Sequence, residues 1–341
     1  MEKVRLGLVG VGEIVREFHL PVMSSNPRIE VLAACDLNPD AVQRMARQFN
    51  IPKTYTDFNS LASDEDIDGV VVCVPNNLHA PVSTQMLQSG KHVMCEKPMA
   101  VTATEGEKML AAAEASQRKL AIAHPWRHDQ DFRWLRSLIK SGRLGKVFKV
   151  RGHAIIVGDP PPLNSWRCNP EISGGGAVMD LGSHVIDTIS YLFGDALRPA
   201  RIMAQTANYF AKSDVEDTAT LLIEFQDGMS ALIECGWHHN FQNSPHGAIE
   251  VFGTEGYART FPTELFGLVD GVHGYYRPFL HPERPHIDPS MYAAQMDSFV
   301  DCIVSGAEPA CGPRQGLRNM QLVDAAYRSA RDGQPVSLKE N

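Results

Sequence analysis

Apolar residues in the first third of the chain follow two alternating spacings. Short runs rich in Val, Ile and Ala are each followed by a stretch in which apolar residues recur at helical spacing. Strands that are apolar on both faces, with a helix after each, are typical of a parallel sheet covered by helices on both sides. The pattern therefore predicts a doubly wound α/β domain over residues 1–124. Its predicted strands are Val4–Val9, Glu30–Cys35, Gly69–Val74, His92–Cys95 and Leu120–Ala123, and its predicted helices are Glu13–Ser24, Pro39–Phe49, Ala80–Ser89 and Ala103–Ser116.

The spacing changes after residue 124, where one helix precedes a series of strands. Long runs of alternating apolar and polar residues replace the strand–helix alternation. Turn sequences such as Asp227-Gly228 separate the later runs and favour antiparallel neighbours. Residues 125–341 are therefore predicted to form an α+β domain. Its predicted strands are Val147–Ile156, Ala200–Tyr209, Thr218–Phe225, Ser230–Gly236 and Ala248–Phe252, with helices at Asp131–Ser141, at Met179–Phe193, near Pro289–Ser305 and near Gln315–Asp332.

Composition narrows the classes of function. The chain has 341 residues, 43% of them hydrophobic, which suffices for two domains with sizeable cores. Its formal net charge of −8 argues against nucleic acid or an anionic membrane as a general partner. The cysteines form no Cys-x-x-Cys pair, and no apolar run approaches the roughly 18 residues of a membrane span. Because the apolar run at Lys3–Gly12 is also too short for a signal peptide, we expect a cytoplasmic protein that handles something small.

A glycine-rich turn follows the first predicted strand. In a dinucleotide-binding fold, Gly10 would permit the tight turn and Gly12 would let a pyrophosphate approach the start of the next helix. The third position of the motif is Val15 instead of Gly or Ala, a departure that weakens it, and any tight strand–helix turn is the alternative. Asp36 closes the second predicted strand, where a carboxylate can accept both ribose hydroxyls of NAD. No cationic residue follows Asp36 immediately, which favours NAD over NADP, although a helix N-cap at Asp36 is the other interpretation.

A lysine stands at the end of a later strand, in the sequence Cys95-Glu96-Lys97-Pro98. The carboxyl ends of the strands of an open α/β sheet face the ligand crevice, so Lys97 is expected to point to whatever lies beside the cofactor. An ammonium group there can stabilise negative charge on a carbonyl or alkoxide oxygen. The alternative is a solvated surface lysine.

Three polar residues share one face of the predicted helix Met179–Phe193. Asp180, His184 and Asp187 are spaced by helical turns, and Gly174-Gly175-Gly176 ahead of them permits close approach of the backbone. A histidine titrates near neutral pH, and a nearby carboxylate can orient it and raise its basicity. The alternatives are a metal site, for which spacing shows no third ligand, and a hydrogen-bonded structural cap.

In their order along the chain, these motifs resemble those of the Gfo/Idh/MocA family, the group of glucose–fructose oxidoreductase and inositol dehydrogenase. The resemblance spans essentially the whole chain and includes the sequence from Pro75 to Ala80, with Asn76 and His79. It implies an N-terminal Rossmann domain and a C-terminal α+β domain with a large, mostly antiparallel open sheet. In the family that sheet commonly mediates dimers or tetramers, so a homodimer or homotetramer is expected.

The resemblance also assigns roles to individual residues, including Lys97, whose bond to Pro98 it implies to be cis. No metal is expected. The residues implied to be catalytic are Lys97, Asp180 and His184; those at the cofactor are Gly10, Gly12, Glu13, Ile14, Asp36, Pro75, Asn76, His79, Glu96 and Lys97; and those at the substrate are Lys97, Arg127, Trp166, Arg167, Asp180 and His184.

The resulting hypothesis is NAD-dependent transfer of a hydride between nicotinamide and a secondary alcohol or ketone of a sugar, cyclitol or related polyol. One alternative is glycoside cleavage through transient oxidation, with no net redox change. Another is a regulator that binds NAD and a sugar without catalysis. The pattern does not name the substrate. The stretch Gly271–Tyr292, rich in His and Tyr, is either a loop over the site or an oligomer contact.

Overall fold

Strand and helix alternate over the first 124 residues, as the apolar pattern predicts. In the computed structural model, six described strands form a parallel sheet with the order β3-β2-β1-β4-β5-β6. The order reverses between β1 and β4, and the crevice beside the carboxyl ends of such strands is the usual ligand site of this fold. The strands are β1 (Val4–Val9), β2 (Ile29–Cys35), β3 (Lys53–Tyr55), β4 (Gly69–Val72), β5 (His92–Glu96) and β6 (Leu120–Ala123). The structure describes residues 3–158, 161–194, 197–239, 247–269, 271–278, 280 and 288–338.

Helices cover both faces of this sheet, and capping side chains set where three of them begin. Asn38, Asp57 and Thr102 each accept a backbone hydrogen bond from the first turn of the helix that follows. The short strand β3 and the helix after it were not predicted, because neither is long enough to show a periodic pattern. The helices are α1 (Leu20–Ser25, preceded by a wider π-helical turn at Val15–His19), α2 (Pro39–Phe49), α3 (Phe58–Ala62), α4 (His79–Gln88) and α5 (Ala103–Ser116).

A second, larger sheet follows. Its nine described strands have the order β14-β13-β12-β11-β7-β10-β9-β8-β15, and every neighbouring pair is antiparallel except β7 and β10. The strands are β7 (Val147–Ile155), β8 (Pro199–Ala207), β9 (Thr218–Phe225), β10 (Ser230–Gly236), β11 (Gly247–Gly253), β12 (Gly256–Arg259), β13 (Glu264–Val269), β14 (Val272–Tyr276) and β15 (Val336–Ser337).

Helices pack on one face of the larger sheet. Gly152 of β7 makes room for this packing, because a Cβ there would lie 2.5 Å from the Val185 side chain. Buried and exposed residues alternate along β8 and β9, so the opposite face of these strands is open to solvent. The α+β architecture with a mostly antiparallel sheet is therefore confirmed. The helices between the strands are α6 (Gln130–Lys140), α7 (Pro170–Ser173) and α8 (Ser183–Phe193, preceded by a π-helical turn at Val178–Gly182).

Part of the stretch Gly271–Tyr292 is regular structure. Val272–Tyr276 forms the edge strand β14, whose side chains are mostly exposed. His281 and His286, which the sequence singled out in the same stretch, lie outside the described residues. The choice between a loop over the site and an oligomer contact stays open.

The last two helices are α9 (Pro289–Ser305) and α10 (Pro313–Asp332). The sequence predicts an unbroken second domain over 125–341, whereas the chain forms two compact units that divide differently. The first is Met1–Pro125 with Pro289–Met320, and the second is Trp126–Asp288 with Gln321–Asn341. The reason is hydrophobic packing, because Met296, Phe299 and Val300 of α9 belong to the core around β1. Among the described residues, no helix has the length and apolar character needed to cross a membrane.

Candidate active site

The turn after β1 requires glycine at its first motif position. Gly10 has a φ of +90°, and a Cβ there would lie 2.2 Å from the carbonyl oxygen of Cys73. A Cβ at Gly12 would meet no described atom within 4 Å, so the space beside this exposed backbone is open. An open, glycine-lined helix start fits a pyrophosphate group.

Asp36 ties this turn to the end of β2. Its Oδ2 accepts a hydrogen bond from Val11 N at 2.9 Å, and its Oδ1 accepts one from Asn38 N at 2.9 Å. The N-cap of α2 is Asn38, so the helix-cap interpretation of Asp36 is wrong. A carboxylate fixed at a strand end beside the glycine turn fits the ribose of a dinucleotide.

Val15, the departure from the glycine motif, begins the wider π-helical turn Val15–His19. Its side chain is fully buried. Widened turns of this kind are frequent at functional sites. The turn ends on His19, which is also buried and whose Nε2 lies 2.6 Å from Glu96 Oε1.

Lys97 directly follows β5, as predicted, and its main chain is held by its neighbour. Glu96 Oε2 accepts a hydrogen bond from Lys97 N at 3.1 Å, while its other oxygen contacts His19. Burial raises the pKa of Glu96, but the hydrogen bond from His19 and the charges of His19 and Lys97 outweigh it and hold that pKa below its usual value. The Lys97–Pro98 bond is cis, as the family resemblance implied.

His79 holds the residue that follows Lys97. Its Nδ1 lies 2.6 Å from the Pro98 carbonyl oxygen, and its Nε2 lies 2.9 Å from the Val74 carbonyl oxygen. The ring is buried, and burial lowers its pKa. One ring nitrogen therefore contacts the main chain just after Lys97, and the other contacts the main chain just after β4. Asn76, also buried, begins the short 3₁₀ turn Asn76–Leu78 on the same segment as Pro75.

The glycines before Asp180 make room for two partners that the sequence did not indicate. A Cβ at Gly175 would lie 1.9 Å from Tyr327 Oη, and one at Gly176 would lie 1.8 Å from the Glu216 carbonyl oxygen. Tyr327 Oη donates to Glu216 Oε1 at 2.9 Å. The glycines thus serve the packing of the helix start.

Glu216 anchors this start through its carboxylate. It accepts hydrogen bonds from Gly176 N at 3.1 Å and Val178 N at 2.9 Å, while Tyr327 Oη accepts one from Met179 N at 3.2 Å. Burial raises the pKa of Glu216, and these hydrogen bonds act in the opposite direction. An acceptor at a helix N-terminus satisfies the donors that the helix leaves unpaired.

Asp180 and His184 are both half-buried, and each side chain contacts a tryptophan. Trp237 Nε1 donates to Asp180 Oδ2 at 3.0 Å. The His184 ring stacks on Trp126, with ring centroids 5.1 Å apart and planes 25° from parallel. The segment therefore presents a carboxylate and an imidazole whose orientations are set by two large, buried rings.

Asp187 and Arg127, both nearly inaccessible to solvent, form a bidentate ion pair. Arg127 Nε and Nη2 donate to the two oxygens of Asp187 at 2.8 and 2.7 Å. The structure thus gives the Arg127 guanidinium a partner in the protein, and its expected contact with substrate stays a prediction.

Trp166 and Arg167 lie on a short 3₁₀ turn, where the guanidinium of Arg167 stacks over the Trp166 ring at 5.0 Å. Glu13 is exposed and Ile14 half-buried on the helix side of the glycine turn. The expected roles of these residues at cofactor and substrate stay predictions.

The residues that sequence reasoning missed here are those joined by long-range contacts. His19, Glu216, Trp237 and Tyr327 lie on separate segments. Trp237 directly follows the predicted strand Ser230–Gly236, and this was the one available signal for it. His19, Cys73 and Glu96 are close enough to hold a metal ion, with ligand atoms within 4.8 Å, but two of those atoms already share the His19–Glu96 contact.

Comparison with known families identifies the class. Residues 4–124 match the GFO_IDH_MocA oxidoreductase family with its NAD-binding Rossmann fold, and residues 132–259 match the GFO/IDH/MocA C-terminal domain. These matches cover most of the chain. The protein is therefore an oxidoreductase of the GFO/IDH/MocA family, as its motifs predicted, and its first domain is an NAD-binding Rossmann domain.

Individual relatives match over nearly their whole length. The chain is 27% identical over 340 residues to 1,5-anhydro-D-fructose reductase of Ensifer adhaerens, with 98% of each chain covered. It is 28% identical over 345 residues to inositol 2-dehydrogenase of Rhizobium meliloti (strain 1021), covering 98% of this chain and 99% of that one. The crystal structure of GenD2 from gentamicin A biosynthesis in complex with NAD has a TM-score of 0.87 at 26% identity, with 100% of this chain and 97% of that chain covered.

Proposed function

We propose that this protein transfers a hydride between NAD and a secondary alcohol or ketone of a sugar, cyclitol or related polyol. The observation that carries the proposal is the pair Asp180 and His184 on one helical segment, each held by a tryptophan. Relatives named as a reductase of an anhydro sugar and a dehydrogenase of inositol support this substrate class.

In the oxidation direction, His184 accepts the proton of the substrate hydroxyl, and Asp180 holds that hydroxyl by a hydrogen bond. The ammonium group of Lys97 stabilises the negative charge that develops on the oxygen. Bound NAD would supply the acceptor for the hydride that leaves the carbon bearing the hydroxyl. The products are the ketone, NADH and a proton on His184, and reduction uses the same groups in reverse.

The cofactor would be held by the glycine turn and by Asp36, with Pro75, Asn76, His79 and Glu96 supporting the neighbouring loops. Asp36 favours NAD, because the 2′-phosphate of NADP would meet its negative charge. The next residues, Leu37 and Asn38, offer no cation to offset that repulsion.

The test begins with a panel of sugars, cyclitols, sugar acids and glycosides, screened for NADH fluorescence. Single-turnover NADH formation is then measured for His184→Ala and Lys97→Ala with an active compound. Each variant is expected to lose roughly a hundredfold or more in rate. Near wild-type rates in both would refute the assignment. Product release without NADH accumulation would instead indicate redox-neutral glycoside cleavage.

We further propose that the enzyme is a homodimer or homotetramer formed through the open face of the larger sheet. Met203 and Leu222 are cross-strand neighbours on that face, and both are partly exposed. Their apolar patch is flanked by the ion pairs Arg201–Glu224 and Arg151–Glu234. Leu222→Glu is expected to lower the mass in solution measured by light scattering, whereas Val304→Glu, at an exposed apolar residue elsewhere, is the control.

We also infer a cytoplasmic location. The cysteines are free and buried among the described residues, which suits a reducing compartment. Fractionation of the native host, with the protein detected in the soluble fraction, tests this location.

A further inference from the structure

Trp237 stands where strand β10 ends, and its indole group reaches the candidate acid–base helix. The side chain is almost completely buried. Its Nε1–H donates to Asp180 Oδ2 at 3.0 Å, and its backbone N–H donates to the Asp217 carbonyl oxygen at 2.8 Å. The residue is therefore anchored through its main chain and makes its side-chain hydrogen bond to Asp180.

The anchor of Trp237 is itself firmly held. The Asp217 carboxylate accepts backbone N–H groups of Tyr209, Phe210 and Ala211 at 2.6 to 3.0 Å. These hydrogen bonds outweigh burial, which alone would raise the pKa of Asp217, so that pKa is lowered. Asp217 thus stays ionised over the neutral pH range, and the strand end that carries Trp237 is fixed.

The backbone next to Trp237 departs from relaxed geometry. His238 has a φ of +66°, in the left-handed region that residues other than glycine seldom adopt. At Gly236, a Cβ would lie 2.4 Å from the His239 ring, so the chain folds back closely on itself. A non-glycine residue held in this region is maintained only by its surroundings, and such positions cluster at functional sites.

The hydrogen bond from Trp237 has a definite effect on a carboxylate. An aspartate side chain rotates about two bonds, and a donor fixed in a buried ring restricts it to one orientation. A hydrogen bond to a charged acceptor is also stronger than a bond between neutral groups, so the indole holds a carboxylate more firmly than it would hold a neutral acceptor.

We propose that Trp237 is a positioning residue for Asp180, holding its carboxylate in the orientation that receives the substrate hydroxyl. The inference rests on the proposed function, in which Asp180 contacts that hydroxyl. Trp237 acts through Asp180 and takes no part in proton or hydride transfer.

The kinetic test is Trp237→Phe, which keeps a large aromatic ring and deletes the donor. The turnover rate with the fastest compound of the sugar and cyclitol panel is expected to fall roughly tenfold to a hundredfold. The dissociation constant of NADH, measured by fluorescence, is expected to stay within about twofold, because the substitution leaves the glycine turn and Asp36 unchanged. Trp134→Phe makes the same chemical change on α6 and is the matched control. An unchanged turnover rate in Trp237→Phe would overturn the proposal.

A second readout is independent of activity and of that variant. The protein contains four tryptophans, so ¹⁵N-tryptophan labelling gives a small set of indole N–H signals. Asp180→Ala removes the acceptor and is expected to shift one of these signals strongly upfield. Trp237→Phe, where it folds as judged by circular dichroism, assigns that signal. If Asp180→Ala shifts no indole signal, the hydrogen bond is not formed in solution and the proposal fails. A shift without turnover of any panel compound would contradict the proposed function and leave the Trp237–Asp180 coupling supported.

Discussion

The candidate reactive residues of the two units are held in different ways. In the first unit the visible contacts fix the main chain around Lys97, through Glu96 on one side and through His79 at Pro98 on the other. In the second unit the side chains of Asp180 and His184 themselves contact rigid rings.

The difference follows from the length of the side chains. A lysine ammonium group lies at the end of a long flexible chain, so contacts to the main chain set where that side chain begins. Aspartate and histidine are short, so their functional groups stay close to the helix, where the neighbouring rings can fix their orientation. Substituting a residue that orients a short reactive side chain is therefore expected to lower activity as much as substituting the reactive residue itself.

The largest effect is expected at the start of the second unit's helical segment. Gly176→Ala would place a Cβ 1.8 Å from the Glu216 carbonyl oxygen. Because that atom belongs to the backbone, we expect a loss of roughly 4 kcal/mol or more in the free energy of unfolding. Gly274→Ala, where a Cβ would meet no described atom within 4 Å, is the control. Urea denaturation measures both, and equal stabilities would contradict the close packing.

The next effect concerns the Arg127–Asp187 pair. Arg127→Leu leaves the Asp187 carboxylate buried without this partner, which is expected to cost about 3–5 kcal/mol of folding free energy. The double variant Arg127→Leu/Asp187→Leu removes both charges and should recover much of that loss. Thermal and urea unfolding of the two variants measure the loss of folding free energy and its recovery. A single variant as stable as the parent would show that the pair does little for the fold and would favour a substrate role for Arg127.

A pH effect is expected at His128 in the same unit. Burial, with smaller contributions from the charges of Arg127 and Arg133, lowers its pKa from 6.5 to about 4, while Asp187 acts in the opposite direction. The unfolded chain therefore binds a proton near pH 6.5 that the folded protein does not bind until about pH 4. Neutral His128 therefore contributes stability that is fully present above pH 6.5. As the pH falls from 6.5 to about 4, the folding free energy decreases by roughly 3 kcal/mol in all. Urea denaturation at pH 7 and pH 4.5 measures this loss of folding free energy, and His128→Gln should lose less between the two pH values. An equal loss in that variant would contradict the shifted pKa.

The smallest stability effect is expected in the first unit, and it tests the main-chain route to Lys97. His19→Leu removes the His19 hydrogen bond to Glu96 and should cost about 2 kcal/mol of folding free energy. His19→Gln keeps a donor and should lose less. If the contact between His19 and Glu96 helps to position Lys97, the rate of single-turnover NADH formation falls in His19→Leu and is partly restored in His19→Gln. A stability loss with an unchanged rate would show that the contact supports the fold alone.

Features encoded by neighbouring residues could be predicted from the sequence. The parallel sheet, the turn at Gly10 and the strand-end position of Lys97 each follow from a local pattern. The strands β3, β12, β13, β14 and β15 were missed, since they are short and show no clear alternation of apolar residues. The position of α9 in the first unit could not be read from the sequence, because its apolar face suits either core.

The contacts that arrange the site depend on residues far apart along the chain. Glu216 and Tyr327 reach the glycines before Asp180, and Arg127 reaches Asp187, without any common spacing in the sequence. The helical pattern predicts a shared polar face for Asp180, His184 and Asp187. It did not show that Asp187 is buried in an ion pair with Arg127, while Asp180 accepts a hydrogen bond from Trp237.

The return of α9 to the first unit also matters while the chain is being synthesised. The apolar surface around β1 that Phe299 covers is made early, but residues 126–288 must leave the ribosome before α9 does. At ordinary translation speeds this takes about 10 to 30 s. During that interval we expect the nascent first unit to expose the hydrophobic surface that α9 later covers, the kind of surface that favours aggregation.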